Sequence, residues 1–218
     1  VSRSVISTLM DIARPRVIVE MGTVGRDVAI QCAAQCASRD IAYLDAPLIG
    51  GGREAAERGT LKVLAGGEQQ VIQQVEAVFQ SFSDRIHHLG PVGSGQSFKL
   101  VHNTLLSLIT VANAEALALA EKLGLDLART LEILSGSSTA SFALQWLFPP
   151  AIRGDYSGGA KVDIVMKDMR LALSEARSAN AKNLYGEIAE RIFSECSEQG
   201  MGQSDMSIAL EWMRRQTQ

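Results

Sequence analysis

The segment Gly93-Ser94-Gly95-Gln96-Ser97-Phe98-Lys99-Leu100-Val101-His102-Asn103 holds the residue types best suited to chemistry. Its two glycines permit a tight entry into the helix that the following residues predict. Lys99 falls in the first turns of that helix, and Asn103, one turn later, shares its face. An ammonium near a helix N-terminus stands against the dipole, and partial burial favours the neutral amine further. A lysine so placed can give and take a proton near neutral pH. The same spacing also fits an exposed lysine followed by an asparagine. Asp45-Ala46-Pro47-Leu48-Ile49-Gly50-Gly51-Gly52 sets a glycine-rich loop after an apolar run. Backbone amides in such a loop can hold an anion such as a carboxylate, although spacing alone favours a plain turn. Met166 to Leu173 carries Lys167, Asp168 and Arg170 on a mainly apolar helix, where a solvated charged face is the default reading.

Metal chemistry has little to build on. Cys32 and Cys36 lie four apart in a helical stretch, Cys196 is distant, and His87, His88 and His102 lack ligand spacing. Buried, idle thiols are the expectation, which points to a reducing, cytoplasmic compartment.

The elements that must position these residues alternate in the first part of the chain. Residues 2–13 predict an amphipathic helix stopped by Arg14-Pro15, and Arg16 to Glu20 a β-branched strand. A turn at Gly22-Thr23 leads into a helix over about residues 27–38. Ile41 to Asp45, Thr60 to Ala65 and Arg85 to Leu89 read as strands, and 68–82 as a helix. Gly50-Gly51-Gly52 reads as loop. This pattern predicts an α/β sheet of partial Rossmann type over residues 1–94. From residue 95 onward the chain predicts helices only. The first runs without Gly or Pro to Lys122, roughly 40 Å long, and is apolar on nearly every face. It is expected to lie deep in an all-α domain (95–218) or at an oligomer interface. Further helices are expected over 126–135, 141–152, 161–180, 184–198 and 204–214.

Composition narrows the function classes. The 218 residues are 46% hydrophobic and 21% charged with a net charge of −3, so disorder and a basic nucleic-acid surface are both disfavoured. The N-terminal residues lack a signal-peptide core. His102, Asn103, Asn113 and Glu115 interrupt the most apolar stretch, so no membrane partner is expected.

Taken in order, these motifs resemble the β-hydroxyacid dehydrogenase family, which includes 3-hydroxyisobutyrate dehydrogenase and tartronate semialdehyde reductase. The family's D-[AV]-P-[VL]-S-G-G loop followed by G-[ST]-L is similar to Asp45–Gly51 and Gly59-Thr60-Leu61. Its G-x-G-x-x-x-K-x-x-x-N segment is matched by Gly93, Gly95, Lys99 and Asn103. Its K-D-[LM]-x-L-A pattern matches Lys167 to Ala172, and a closing G-x-G-x-x-D falls at Gly200, Gly202 and Asp205. The resemblance implies an oxidoreductase using NAD or NADP on a small carboxylate-bearing substrate, assembled as a homodimer or homotetramer. By the same resemblance Lys99 is the acid/base, and Asn103 holds the reacting oxygen or orients the lysine. Gly50 and Gly51 bind the substrate carboxylate, and Thr23 and Lys167 contact the cofactor.

Two departures stand out. Ile49 replaces the family's serine, which removes one carboxylate hydrogen bond and points away from the usual C3–C4 hydroxyacids. The chain also contains no G-x-G-x-x-G. The first strands of the family's nucleotide domain are therefore expected to be missing, making this an incomplete and inactive fragment. The contrasting class is a non-catalytic helical dimerisation or binding relative on the same scaffold. Lys99 speaks against that class, and against the imine reductases that share the architecture but usually lack this lysine.

Overall fold

A computed structural model describes residues 2–12 and 15–216. The chain folds as two compact units, Val1–His102 and Asn103–Gln218.

The first unit is a five-stranded mixed sheet with helices on both faces. Its elements are α1 (Ser2–Ile12), β1 (Val17–Glu20), α2 (Arg26–Ala37), β2 (Ala42–Asp45), β3 (Leu48–Ile49), α3 (Gly52–Glu57), β4 (Leu61–Gly66), α4 (Gln69–Gln80) and β5 (Ser83–Gly90). β1 and β2 run parallel, with Val17 opposite Ala42 and Glu20 opposite Asp45. β4 lies antiparallel to β2 and β3 and parallel to β5. Alternation along β2 divides the core in two. Tyr43 joins Ile6, Met10, Ala29, Cys32 and Cys36 on the α1/α2 side. Its neighbour Leu44 joins Val63, Ala65, Ile72 and Phe79 on the α4 side.

The four expected strands and the helices over 2–13, 27–38 and 68–82 are present with small boundary shifts. The stop expected at Arg14 lies outside the described residues. Two elements escape the sequence reading. β3 is only two residues long, too short for alternation to register. α3 starts where a glycine loop was expected, because Gly51 takes a left-handed conformation as N-cap and only Gly52 lies inside the helix. Arg53 to Glu57 are good helix formers.

α5 (Ser94–Lys122) follows, and its first turns belong to the first unit. Among the described residues it is the one helix long and apolar enough to cross a membrane. Within the second unit it buries one face, with Val111, Ala114, Leu117 and Ala118 in the helical core. Leu105 and Leu119 of α5 are more than half exposed, so of the two expectations, burial within the domain or a place at an oligomer interface, the first does not account for every apolar residue of the helix.

The remaining helices are α6 (Leu127–Ser135), α7 (Phe142–Ala151), α8 (Val162–Ser178), α9 (Leu184–Cys196) and α10 (Ala209–Gln216). Side chains cap the first two: Asp126 accepts from the Arg129 amide and Ser141 from the Leu144 amide. The expected helix from 204 begins instead as a 3-10 turn over Met206–Ile208, because Asp205 caps the Ser207 amide. The helix expected to reach 198 passes at Cys196 into a wider turn, where Gly200 has a φ of 81°.

All three cysteines are buried and free. Burial raises each thiol, Cys196 to about 12, so none is primed as a nucleophile at neutral pH. No group of three or more His, Cys, Asp or Glu among the described residues could hold a metal ion.

Candidate active site

Asp45 ends β2 with no exposed surface and anchors the start of α5. Its carboxylate accepts from the Gly93 amide at 2.7 Å and from the Gln96 amide at 2.8 Å. Gly93 needs a positive φ of 94° to present its amide there. A Cβ on Gly95 would overlap the Leu64 carbonyl oxygen and approach Asp45 Oδ2 to 2.8 Å. The two glycines of the lysine motif therefore permit a backbone to seat itself on a buried carboxylate. Sequence reasoning placed Asp45 at the head of an anion-binding loop; the structure gives it this anchoring contact instead.

Burial raises the Asp45 carboxyl above its ordinary 3.8, with the hydrogen bonds from Gly93 and Gln96 opposing the rise. The folded state thus holds this proton more tightly than the unfolded chain does. The stabilisation this brings is full below 3.8 and is lost as pH rises through the folded-state value. Asp45→Asn removes that titration, so the wild type should gain stability relative to the variant as pH is lowered from about 7 toward about 4. Thermal unfolding of both proteins across that range is the measurement, and parallel curves would contradict the assignment.

The turn after β1 is tied to the same helix. Gln96, also without exposed surface, accepts through Oε1 from the Val24 amide at 2.9 Å and the Gly25 amide at 3.2 Å. Its Nε2 donates to the Gly22 carbonyl at 2.8 Å. Thr23 sits half-buried in the middle of this turn.

One turn beyond Gln96, Lys99 is half-buried, and its Nζ donates to the Leu48 carbonyl at 2.7 Å. Leu48 belongs to β3, which leads directly into Gly50 and Gly51, both with positive φ. The structure therefore brings the expected acid/base to the head of the expected carboxylate loop. Ile49 pairs with Lys62 across the β3–β4 ladder and is half-buried.

In the second unit, Asn103 Nδ2 donates to Asp168 Oδ2 at 2.6 Å. Lys167 Nζ lies 2.8 Å from the other oxygen of the same carboxylate, an ion pair rather than an aligned hydrogen bond. Asp168 is only 4% exposed, which corrects the expectation of a solvated charged face for this residue. Helical spacing held the signal: Asp168 lies three residues after Val165 and four before Ala172, both in the core. Asn103 and Lys167, expected to serve oxygen and cofactor, thus share one buried carboxylate. Asp45, Gln96 and Asp168 were absent from the expected site.

The turn after β1 fits the place of a dinucleotide cofactor. The Gly22–Gly25 turn follows the carboxyl end of β1 in the parallel β1–β2 pair, where open α/β sheets bind ligands. The turn is held from inside by Gln96, and a hydroxyl-bearing residue stands at its centre.

Comparison with known proteins finds relatives along both units. Residues 2–90 match the NAD binding domain of 6-phosphogluconate dehydrogenase. Residues 93–213 match the model described as NAD-binding of NADP-dependent 3-hydroxyisobutyrate dehydrogenase. A 2-(hydroxymethyl)glutarate dehydrogenase from Eubacterium barkeri is 33% identical over 202 residues, covering 92% of this chain and 67% of the relative. An NAD-dependent L-serine dehydrogenase from Pseudomonas aeruginosa is 32% identical, covering 92% and 69% respectively. The solved structure of Mycobacterium tuberculosis 3-hydroxyisobutyrate dehydrogenase with L-serine superposes with a TM-score of 0.86 at 26% identity, covering 97% of this chain and 76% of that one. The chain spans about two thirds to three quarters of the length of these proteins. With nucleotide-binding family models matched in both units and two relatives above 30% identity, the chain belongs to the β-hydroxyacid dehydrogenase family, whose cofactor is NAD or NADP.

Proposed function

We propose that the native protein interconverts a β-hydroxyacid and its semialdehyde or ketone, with Lys99 as general acid/base. The observation that carries this reading is the 2.7 Å bond from Lys99 Nζ to the Leu48 carbonyl. It fixes a half-buried ammonium beside the loop best suited to hold a carboxylate, so acid and anion site adjoin. A bound nicotinamide dinucleotide supplies hydride in one direction and accepts it in the other. Lys99 gives its proton to the carbonyl oxygen in reduction and takes the hydroxyl proton in oxidation. The Gly50 and Gly51 amides hold the substrate carboxylate.

Asn103 orients the lysine or holds the reacting oxygen. Its Nδ2 is committed to Asp168, an oxygen-only acceptor, which turns its Oδ1 away from that carboxylate and favours the orienting role. Thr23 and Lys167 serve the cofactor. Ile49, apolar where the family has serine, favours a substrate larger than the C3–C4 hydroxyacids. Further copies covering Leu105 and Leu119 of α5 would make the protein a homodimer or homotetramer, and a clean monomer in light scattering contradicts that part.

The relatives' named substrates define the assay. 3-Hydroxyisobutyrate, L-serine and 2-(hydroxymethyl)glutarate are each primary alcohols one carbon from a carboxylate-bearing carbon. With NAD or NADP, at least one β-hydroxyacid of this type should yield reduced nicotinamide, the bulkier one with the highest kcat/KM. Binding of cofactor and hydroxyacid without turnover in either direction would overturn the reading.

A further inference from the structure

We infer that Gln96 is a positioning residue that holds the Gly22–Gly25 turn in register with Lys99 and so sets affinity for the nicotinamide end of the cofactor. The cofactor part rests on the function proposed above; the structural part does not.

Residues 21–25 belong to neither strand nor helix, so the regular backbone ladder does not set their conformation. The Gln96 side chain instead engages three of their backbone groups: the Gly22 carbonyl, the Val24 amide and the Gly25 amide. A primary amide suits this task, because it offers a donor and a two-lone-pair acceptor on one rigid plane. The Gln96 backbone is fixed in turn, since its amide donates to the buried Asp45. Turn, carboxylate and helix thus form one bonded unit, and Lys99 stands three residues along the same helix.

Buried polar groups that lose their partner bear the full cost of desolvation, so stripping the Gln96 amide should release the turn rather than leave it in place. The lysine should be little affected, because its own bond runs to Leu48. Cofactor binding and proton transfer thus depend on different residues of the same helix.

Gln96→Met keeps length and burial but removes every side-chain hydrogen bond. In the native protein without ligand, hydrogen exchange at Val24 and Gly25 should speed up by about tenfold or more, while the Gly93 and Gln96 amides keep their protection. In turnover, KM for the cofactor should rise by about tenfold with kcat within about threefold and an unchanged pH profile. Gln96→Glu retains the acceptors for Val24 and Gly25 but sets a carboxylate oxygen against the Gly22 carbonyl. It should protect the two amides while still weakening cofactor binding, and it decides the matter if the methionine variant does not fold. Unchanged exchange at Val24 and Gly25 in Gln96→Met would overturn the positioning role. Faster exchange with unchanged cofactor KM would overturn its link to binding. If the wild type turns over no nicotinamide substrate, the function reading fails and the exchange arm alone judges Gln96.

Discussion

Lys99→Ala in the native protein is expected to lower kcat by roughly 10²–10⁴-fold, the range that general acid/base catalysis supplies. In the proposed reaction the reacting oxygen gains or loses a proton as hydride moves, and Lys99 is a titratable group beside the loop proposed to hold the carboxylate. Truncation leaves the Leu48 carbonyl without its ammonium partner, but that site is half-buried, so water can replace the lost bond. Structural damage should therefore be small. Cofactor affinity should stay within a few-fold of wild type, because Gln96, not Lys99, holds the Gly22–Gly25 turn. Lys99→Arg separates charge from proton transfer. Guanidinium keeps the positive charge but stays protonated at any working pH, so it should be nearly as slow as alanine. Steady-state kinetics with calorimetric cofactor binding provide the check. An alanine variant retaining more than half of wild-type turnover would remove Lys99 from the mechanism.

The uneven legibility of this site follows from the range of each contact. Spacing along one helix is local, so the pairing of Lys99 and Asn103 on one face of α5 could be read directly. Strand β1 is legible as a β-branched run, β2 as a short apolar run and β4 through its alternation. Contacts between distant residues left no such trace. Asp45 meets Gly93 and Gln96 across about fifty residues, and Gln96 reaches the Gly22–Gly25 turn across more than seventy. Nothing in the local pattern marks a glutamine as the partner of three backbone groups. Asp168 is intermediate. Its place on the buried face of α8 was readable from the spacing of Val165, Met169 and Ala172, but a charged residue in a charged stretch draws the solvated reading first. The long helix α5 shows the converse, since apolar composition predicted cover for faces that the second unit leaves exposed.

Gly95→Ala should be the most damaging single methyl in the first unit, costing about 3 kcal/mol or more, at or beyond the upper end for overpacking. The new Cβ would collide with the Leu64 carbonyl oxygen while also pressing on Asp45 Oδ2 at 2.8 Å and the Asp45 carbonyl at 3.0 Å. None of these neighbours is the far end of a flexible side chain. The Leu64 carbonyl belongs to β4, and Asp45 is held by the Gly93 and Gln96 amides. Relief requires α5 to lift away from β2 and β4, which would stretch the Asp45 bonds and leave a buried carboxylate short of donors. Any protein that still folds should also lose turnover, because the same movement carries Lys99 away from Leu48. Gly158→Ala is the matched control: a Cβ there meets nothing within 4 Å, so its stability should change by less than about 0.5 kcal/mol. Calorimetric unfolding of the two variants beside the wild type measures the difference. If Gly95→Ala unfolds with the control, the close seat of α5 on Asp45 and Leu64 does not hold in solution, and the anchoring that the lysine motif depends on must come from elsewhere.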